Sequence, residues 1–149
     1  MKVVVQRVSS ARVEVAGEMA GAIGKGLLVL AGIATGDSEA DLAWTAGKLA
    51  KLRIFADAAG VMNLSVNDVG GEILAISQFT LLASVSRGNR PSWSQAASPE
   101  IARPLFERFV GHLQDAVGHK VQTGVFGADM RVQLANEGPV TILIDSRRP

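Results

Sequence analysis

The 149-residue chain contains no cysteine, which removes disulfides, thiolate nucleophiles and cysteine-ligated zinc together. Histidine is scarce as well. The two present, His112 and His119, flank the end of an expected helix with no third ligand at a recognisable spacing, so neither a metal nor a cofactor is expected. Gly24-Lys25 is not a P-loop, because Met19 stands where the first glycine is required and Gly26 where Ser or Thr must bind. No run approaches the roughly 18 apolar residues that span a bilayer, and the opening Met1-Lys2-Val3-Val4-Val5-Gln6-Arg7 meets charge too early for a secretory signal. No membrane association and a cytoplasmic location are therefore expected. An excess of one charge is also missing. Lys and Arg number 15 against 14 Asp and Glu, a net charge of +1, well short of the basic footprint of a protein that grips long nucleic acid. A short single-stranded end stays open, since few phosphates need neutralising there.

What remains is a globular composition, 48% hydrophobic and 19% charged with 16 glycines and 5 prolines. The length suits a single domain over residues 1–149, one that buries roughly 68–70% of its unfolded surface. Alternation and apolar runs predict strands over 1–8, 11–15 and 19–23, the last two as a hairpin, and a central strand over 27–33. Asp37 or Ser38 caps a predicted helix over 39–52, followed by a short extended piece at 53–55. A second helix starts at Ser98-Pro99-Glu100, with proline at its first position. Pro104 is expected to kink that helix or delay its start. Strands are expected again over 120–126, 128–135 and 140–144. Strands joined by short turns around two main helices predict an α+β domain with a mostly antiparallel, barrel-like β-sheet.

The most informative stretch is 72–82, Glu72-Ile73-Leu74-Ala75-Ile76-Ser77-Gln78-Phe79-Thr80-Leu81-Leu82, predicted as one strand buried on both faces. Three polar residues interrupt it within four positions. A buried hydroxyl or amide without a partner costs about 1–3 kcal/mol, so Ser77, Gln78 and Thr80 either bond to neighbouring backbone or line a pocket. The loop Arg87-Gly88-Asn89-Arg90-Pro91-Ser92-Trp93 reads either as an exposed connection or as a lip that meets a phosphate or a base.

Ser77-Gln78-Phe79-Thr80-Leu81 and Asn136-Glu137-Gly138-Pro139-Val140-Thr141 resemble the two signature motifs of the D-aminoacyl-tRNA deacylases. Further similar segments fall in the family's order, among them Gly24-Lys25-Gly26-Leu27, Gly88-Asn89-Arg90-Pro91-Ser92 and Gly124-Val125-Phe126-Gly127-Ala128-Asp129-Met130. The resemblance implies a homodimer with active sites at the subunit interface, and an aminoacyl-tRNA partner held by its 3′-terminal adenosine. It implies hydrolysis of the ester that joins a D-amino acid or glycine to that adenosine. It places Ser77, Gln78, Phe79 and Thr80 of one subunit against Gly138 and Pro139 of the other, with a cis Gly138–Pro139 bond, and Arg7 helping to hold that motif. Phe126 and Met130 match positions of the terminal-adenosine pocket, or serve as plain core. Leu82 and Glu137 depart from the Tyr and Asp common in the family, which touches pocket detail.

An aminoacyl ester is already activated, so a catalyst chiefly orients water and stabilises the developing oxyanion. Backbone N–H groups around Phe79 and Thr80 suit the second task. Two routes to the attack stay open: Thr80 as nucleophile, which requires an adjacent base, or activation of water by the substrate's own 2′-hydroxyl, as the resemblance implies. A non-catalytic metabolite-binding oligomer and a general esterase or peptidase are the competing classes.

Overall fold

The computed structural model describes residues 1–148. Its spine is β1, Lys2–Val15, a valine-rich alternating run. On one edge its first half pairs antiparallel with β3, Gly26–Gly32, and its second half with β2, Glu18–Ile23. Along its other edge runs β8, Met130–Asp145, also antiparallel. The expected pieces 1–8 and 11–15 are thus a single strand, and so are 128–135 and 140–144. Each long strand is the other's ladder partner, and the Gly138–Pro139 interruption is absorbed as register shifts between Gln6 and Ser10 rather than as a chain reversal.

The chain leaves β3 for α1, Glu39–Lys51, passes a small hairpin of β4, Phe55–Ala56, and β5, Met62–Leu64, and returns as β6, Glu72–Ser77, parallel to β3. Helix α2, Pro99–Val117, then leads to β7, Gln122–Thr123, parallel to β6. Parallel neighbours need such crossovers. The order is β2-β1-β3-β6-β7, with β8 on β1. β2 curls back towards β7 so closely that a methyl group on Gly21 would lie 2.8 Å from the Thr123 carbonyl oxygen. The result is the expected α+β domain with two main helices and a nearly closed barrel-like sheet. Most pairings are antiparallel, but the β3-β6-β7 portion is parallel, and β7 keeps only two of the residues expected as strand over 120–126.

β6 is buried on both faces, as its composition requires. Ile73 and Ala75 join Val3, Val5 and Leu27 beneath the helix residues Leu42, Leu49, Phe106, Phe109 and Leu113. Leu74 and Ile76 turn into the barrel with Val8, Val13, Ile23 and Leu28. Helix α2 does not start late. Ala102 N–H already donates to the Ser98 carbonyl at 2.8 Å, and the helix runs on with Pro104 inside it. One bond is missing at an exposed position, and the buried stripe Ala102, Phe106, Phe109 and Leu113 outweighs it. Ser38 is the N-cap of α1. Asp37 instead accepts from the Ala34 N–H and from the buried Met1 ammonium at 2.7 Å, with Arg147 at 3.1 Å.

Candidate active site

β6 stops at Ser77 because its parallel partner stops. Gln78 N–H donates to the Ala31 carbonyl at 2.8 Å, and the chain then tightens into a 3-10 turn, Phe79–Leu82. The single strand expected over 72–82 therefore ends five residues early. Gly32 permits the turn, since a side chain there would meet the Gln78 carbonyl oxygen at 2.9 Å. Strand alternation no longer governs the motif beyond Ser77, and Gln78 and Thr80 come together: the Gln78 amide nitrogen donates to Thr80 Oγ1. Leu82, the departure from the family pattern, is a buried residue at 2% exposure.

A cavity of about 750 Å³ opens at this strand end. Ser77, Gln78 and Phe79 form one wall and Phe126 and Met130 another, so five of the residues singled out in the sequence line one space. Thr80 joins them through its bond to Gln78. Phe126 is both cavity and core. Its ring lies 6.2 Å from that of Phe106 and packs against the helix-side core, while Met130 packs against the barrel interior. Trp93, Pro99, Arg103 and Asp129 also line the cavity; Trp93 carried a signal in its polar loop, Pro99 as a helix start and Asp129 as part of the family-similar segment 124–130. Arg103 looks like an ordinary surface charge in the sequence, and tertiary packing alone brings it to the cleft.

Gly138, Pro139 and Arg7 lie elsewhere. The Gly138–Pro139 bond is cis, both residues are exposed, and neither lines the cavity of its own chain. Arg7 braces them: its Nε donates to the Glu137 carbonyl at 3.1 Å and one Nη to the Ile54 carbonyl at 2.5 Å. Gly138 has φ +121°, where side chains are rarely tolerated, and a methyl there would sit 2.6 Å from the other Arg7 Nη. The histidines are remote from the motif. His112 contacts Glu39 between the two helices and His119 contacts the Lys120 carbonyl. Among the described residues, no His, Asp or Glu accepts from Thr80, and no three such residues cluster as metal ligands.

A second hollow, about 580 Å³, lies beside Met1, Thr35 and Arg147 and touches the motif only at Leu82. The acid that lines it, Asp145, accepts from the Arg147 backbone N–H at 3.1 Å, and the polar residues of the motif gather at the larger cleft instead. Fold and cleft together define a small barrel protein whose pocket joins a polar strand end to an aromatic wall, an arrangement suited to an ester carried on a flat heterocycle. The family model for D-Tyr-tRNA(Tyr) deacylase matches residues 4–145. The chain is 62% identical to a D-aminoacyl-tRNA deacylase of Dechloromonas aromatica over all of this chain and 99% of that one. It is 60% identical to one of Chromobacterium violaceum at the same coverage. A solved structure of a c-Myc DNA unwinding element binding protein superposes with a TM-score of 0.91 at 40% identity, covering 97% of this chain and 98% of that one. The chain belongs to the D-Tyr-tRNA(Tyr) deacylase family, a family of hydrolases.

Proposed function

We propose that this protein is an editing hydrolase of the cytoplasm that cleaves the ester of D-aminoacyl-tRNA, and of glycyl-tRNA mischarged on tRNA-Ala, to release free amino acid and tRNA. Family membership over residues 4–145 supports it. The observation that carries the chemistry is the turn out of β6, where Ser77, Gln78 and Phe79 meet Phe126 and Met130 in one cleft. The terminal adenosine packs on Phe126 and Met130, and the ester carbonyl points at the start of the 3-10 turn. The first N–H groups of a helical turn have no partner inside it, so those of Phe79 and Thr80 are free to meet an oxyanion. Water attacks the carbonyl carbon with the 2′-hydroxyl of the terminal ribose helping to activate it. The ester C–O bond breaks, and the leaving 3′-oxygen takes a proton. Thr80 is a poor nucleophile here because its oxygen is engaged by an amide donor, not by a base.

The working unit is a homodimer in which Gly138-Pro139 of one subunit faces the cleft of the other. Supporting this are the exposure of that pair, its absence from the lining of its own cleft, and Leu143 on the same strand, 80% exposed. Selectivity is steric. Glycine lets this backbone come close and proline stiffens it, forming a wall where an L side chain projects. An editor facing a large excess of L-aminoacyl-tRNA needs discrimination on the order of 10⁴, about 5.5 kcal/mol. A methylene in an apolar pocket supplies only about 1–3 kcal/mol, so attraction to varied D side chains falls short and exclusion is required. Glycine has nothing to strike the wall. A parallel deacylation series is therefore expected to consume D-alanyl- and glycyl-tRNA and spare L-alanyl-tRNA. Glycyl-tRNA as inert as L-alanyl-tRNA would sink the exclusion mechanism.

A further inference from the structure

Two groups in the cleft have nucleic-acid chemistry that the reaction above leaves unused. Trp93 stands at the rim, 40% exposed, with its ring edge-on to Phe79 at 5.7 Å. Its loop is pinned rather than loose: Ser84 and Ser92 exchange two backbone bonds of 2.8 and 2.9 Å, Ala96 N–H donates to the Trp93 carbonyl, and Ala97 N–H to Ile33. The fold thus holds a large aromatic partly in water beside a cavity, where it is available for stacking. Arg103, one turn into α2, lies over the Phe126 ring at 5.2 Å. It makes no ion pair among the described residues. A guanidinium held beside an aromatic ring, with no carboxylate bound to it, keeps its N–H groups available for a phosphate.

We propose that Trp93 and Arg103 form a subsite for the nucleotide preceding the terminal adenosine, the indole stacking its base and the guanidinium taking the phosphate that joins the two. The assignment rests on the proposed function, because it takes Phe126 as the adenosine platform. The 5′ phosphate of an adenosine held there emerges beside Arg103, and a strand continuing across the cleft meets Trp93. Stacking plus one cation suits a chain of net charge +1: the grip on RNA is confined to its last few nucleotides.

The test compares kcat/KM for a D-aminoacyl-tRNA and for the same amino acid on free adenosine, which lacks the upstream phosphate and base. Stacking of one base on an aromatic side chain is worth about tenfold or more in affinity, so Trp93→Ala is expected to lower the tRNA-to-adenosine ratio about tenfold, with Trp93→Phe restoring most of it. Arg103→Ala is expected to lower the same ratio and reduce the salt dependence of tRNA KM by about one unit of log–log slope, while Arg103→Lys keeps the slope. An unchanged ratio overturns the subsite, and so does an equal loss on both substrates, which marks a merely structural role. Binding of a short RNA with the tRNA 3′ sequence, against adenosine alone, is measured on the same proteins. If wild type binds the RNA no more tightly than adenosine, the subsite is wrong. If it binds the RNA tightly but hydrolyses no D-aminoacyl ester, the proposed function fails instead.

Discussion

Thr80 and Arg7 show how a single side chain's partners decide its role. The Thr80 hydroxyl receives a hydrogen bond from the Gln78 amide, which occupies a lone pair and removes no proton. Thr80→Ala is therefore expected to keep activity within about tenfold, roughly the worth of one hydrogen bond at 1.4 kcal/mol per decade. An acyl group trapped on Thr80 and seen by mass spectrometry would make it the nucleophile. Arg7 is tied at two carbonyls, Glu137 and Ile54, and a charged hydrogen bond contributes about 1.5–3 kcal/mol. Arg7→Ala is expected to lower stability by about 2 kcal/mol in urea unfolding, and to loosen the Gly138-Pro139 turn so that hydrolysis of L-alanyl-tRNA rises. Tight L rejection in that variant would mean that the turn holds its shape unaided.

The first turn of α1 illustrates local sequence acting at the scale of an element. Ser38 Oγ and its N–H both donate to Asp41 Oδ2, at 2.6 and 2.9 Å. The Ser38 hydroxyl, then its backbone N–H, hold the Asp41 carboxyl at about 2, below the usual 3.8. A depressed carboxyl stabilises the fold above the unfolded-state value, and that contribution disappears as pH falls through the folded one. The contribution of this cap is thus expected to vanish between about pH 4 and pH 2. Because the group is mostly solvated, the loss should be a modest one. Asp41→Asn should be less stable than wild type at pH 6, with the gap closing by pH 2 in thermal melts; a gap independent of pH would assign the cap to packing instead.

At the scale of the whole molecule, the cleft and the Gly138-Pro139 turn are separate features of one chain, so a second copy has to join them if both act on one substrate. β8 offers the surface, with Leu143 at 80% and Leu134 at 39% exposure. A buried charge without a partner is costly, so Leu143→Asp is expected to shift the protein to a monomer in sedimentation while leaving its circular dichroism intact. Activity on D-alanyl-tRNA should fall more than tenfold, a loss above about 1.4 kcal/mol. A monomer that still deacylates D-alanyl-tRNA and spares L-alanyl-tRNA would refute a site shared between subunits.

Much of this was legible in the residues themselves. Alternation in β1, caps and stripes in α1 and α2, and the doubly buried β6 follow from periodicity, because a strand or helix face must match its surroundings position by position. Ser77, Gln78 and Thr80 were legible as polar intrusions in an apolar run, and Phe79, Phe126 and Met130 through their resemblance to family positions. Periodicity says nothing about where a ladder partner ends, so the stop of β6 at Ser77 emerged only with β3 alongside it, and with it the contact of Gln78 with Thr80. The fusion of the two halves of β1, and of β8 across Gly138-Pro139, likewise depends on each strand supplying the other's hydrogen bonds over a distance in sequence of more than a hundred residues. Trp93, Arg103 and Asp129 converge on the cleft through three separate segments. Their types and positions were set by the sequence, but their proximity was decided by the packing of α2 and the 84–97 loop against the barrel, which no local pattern encodes.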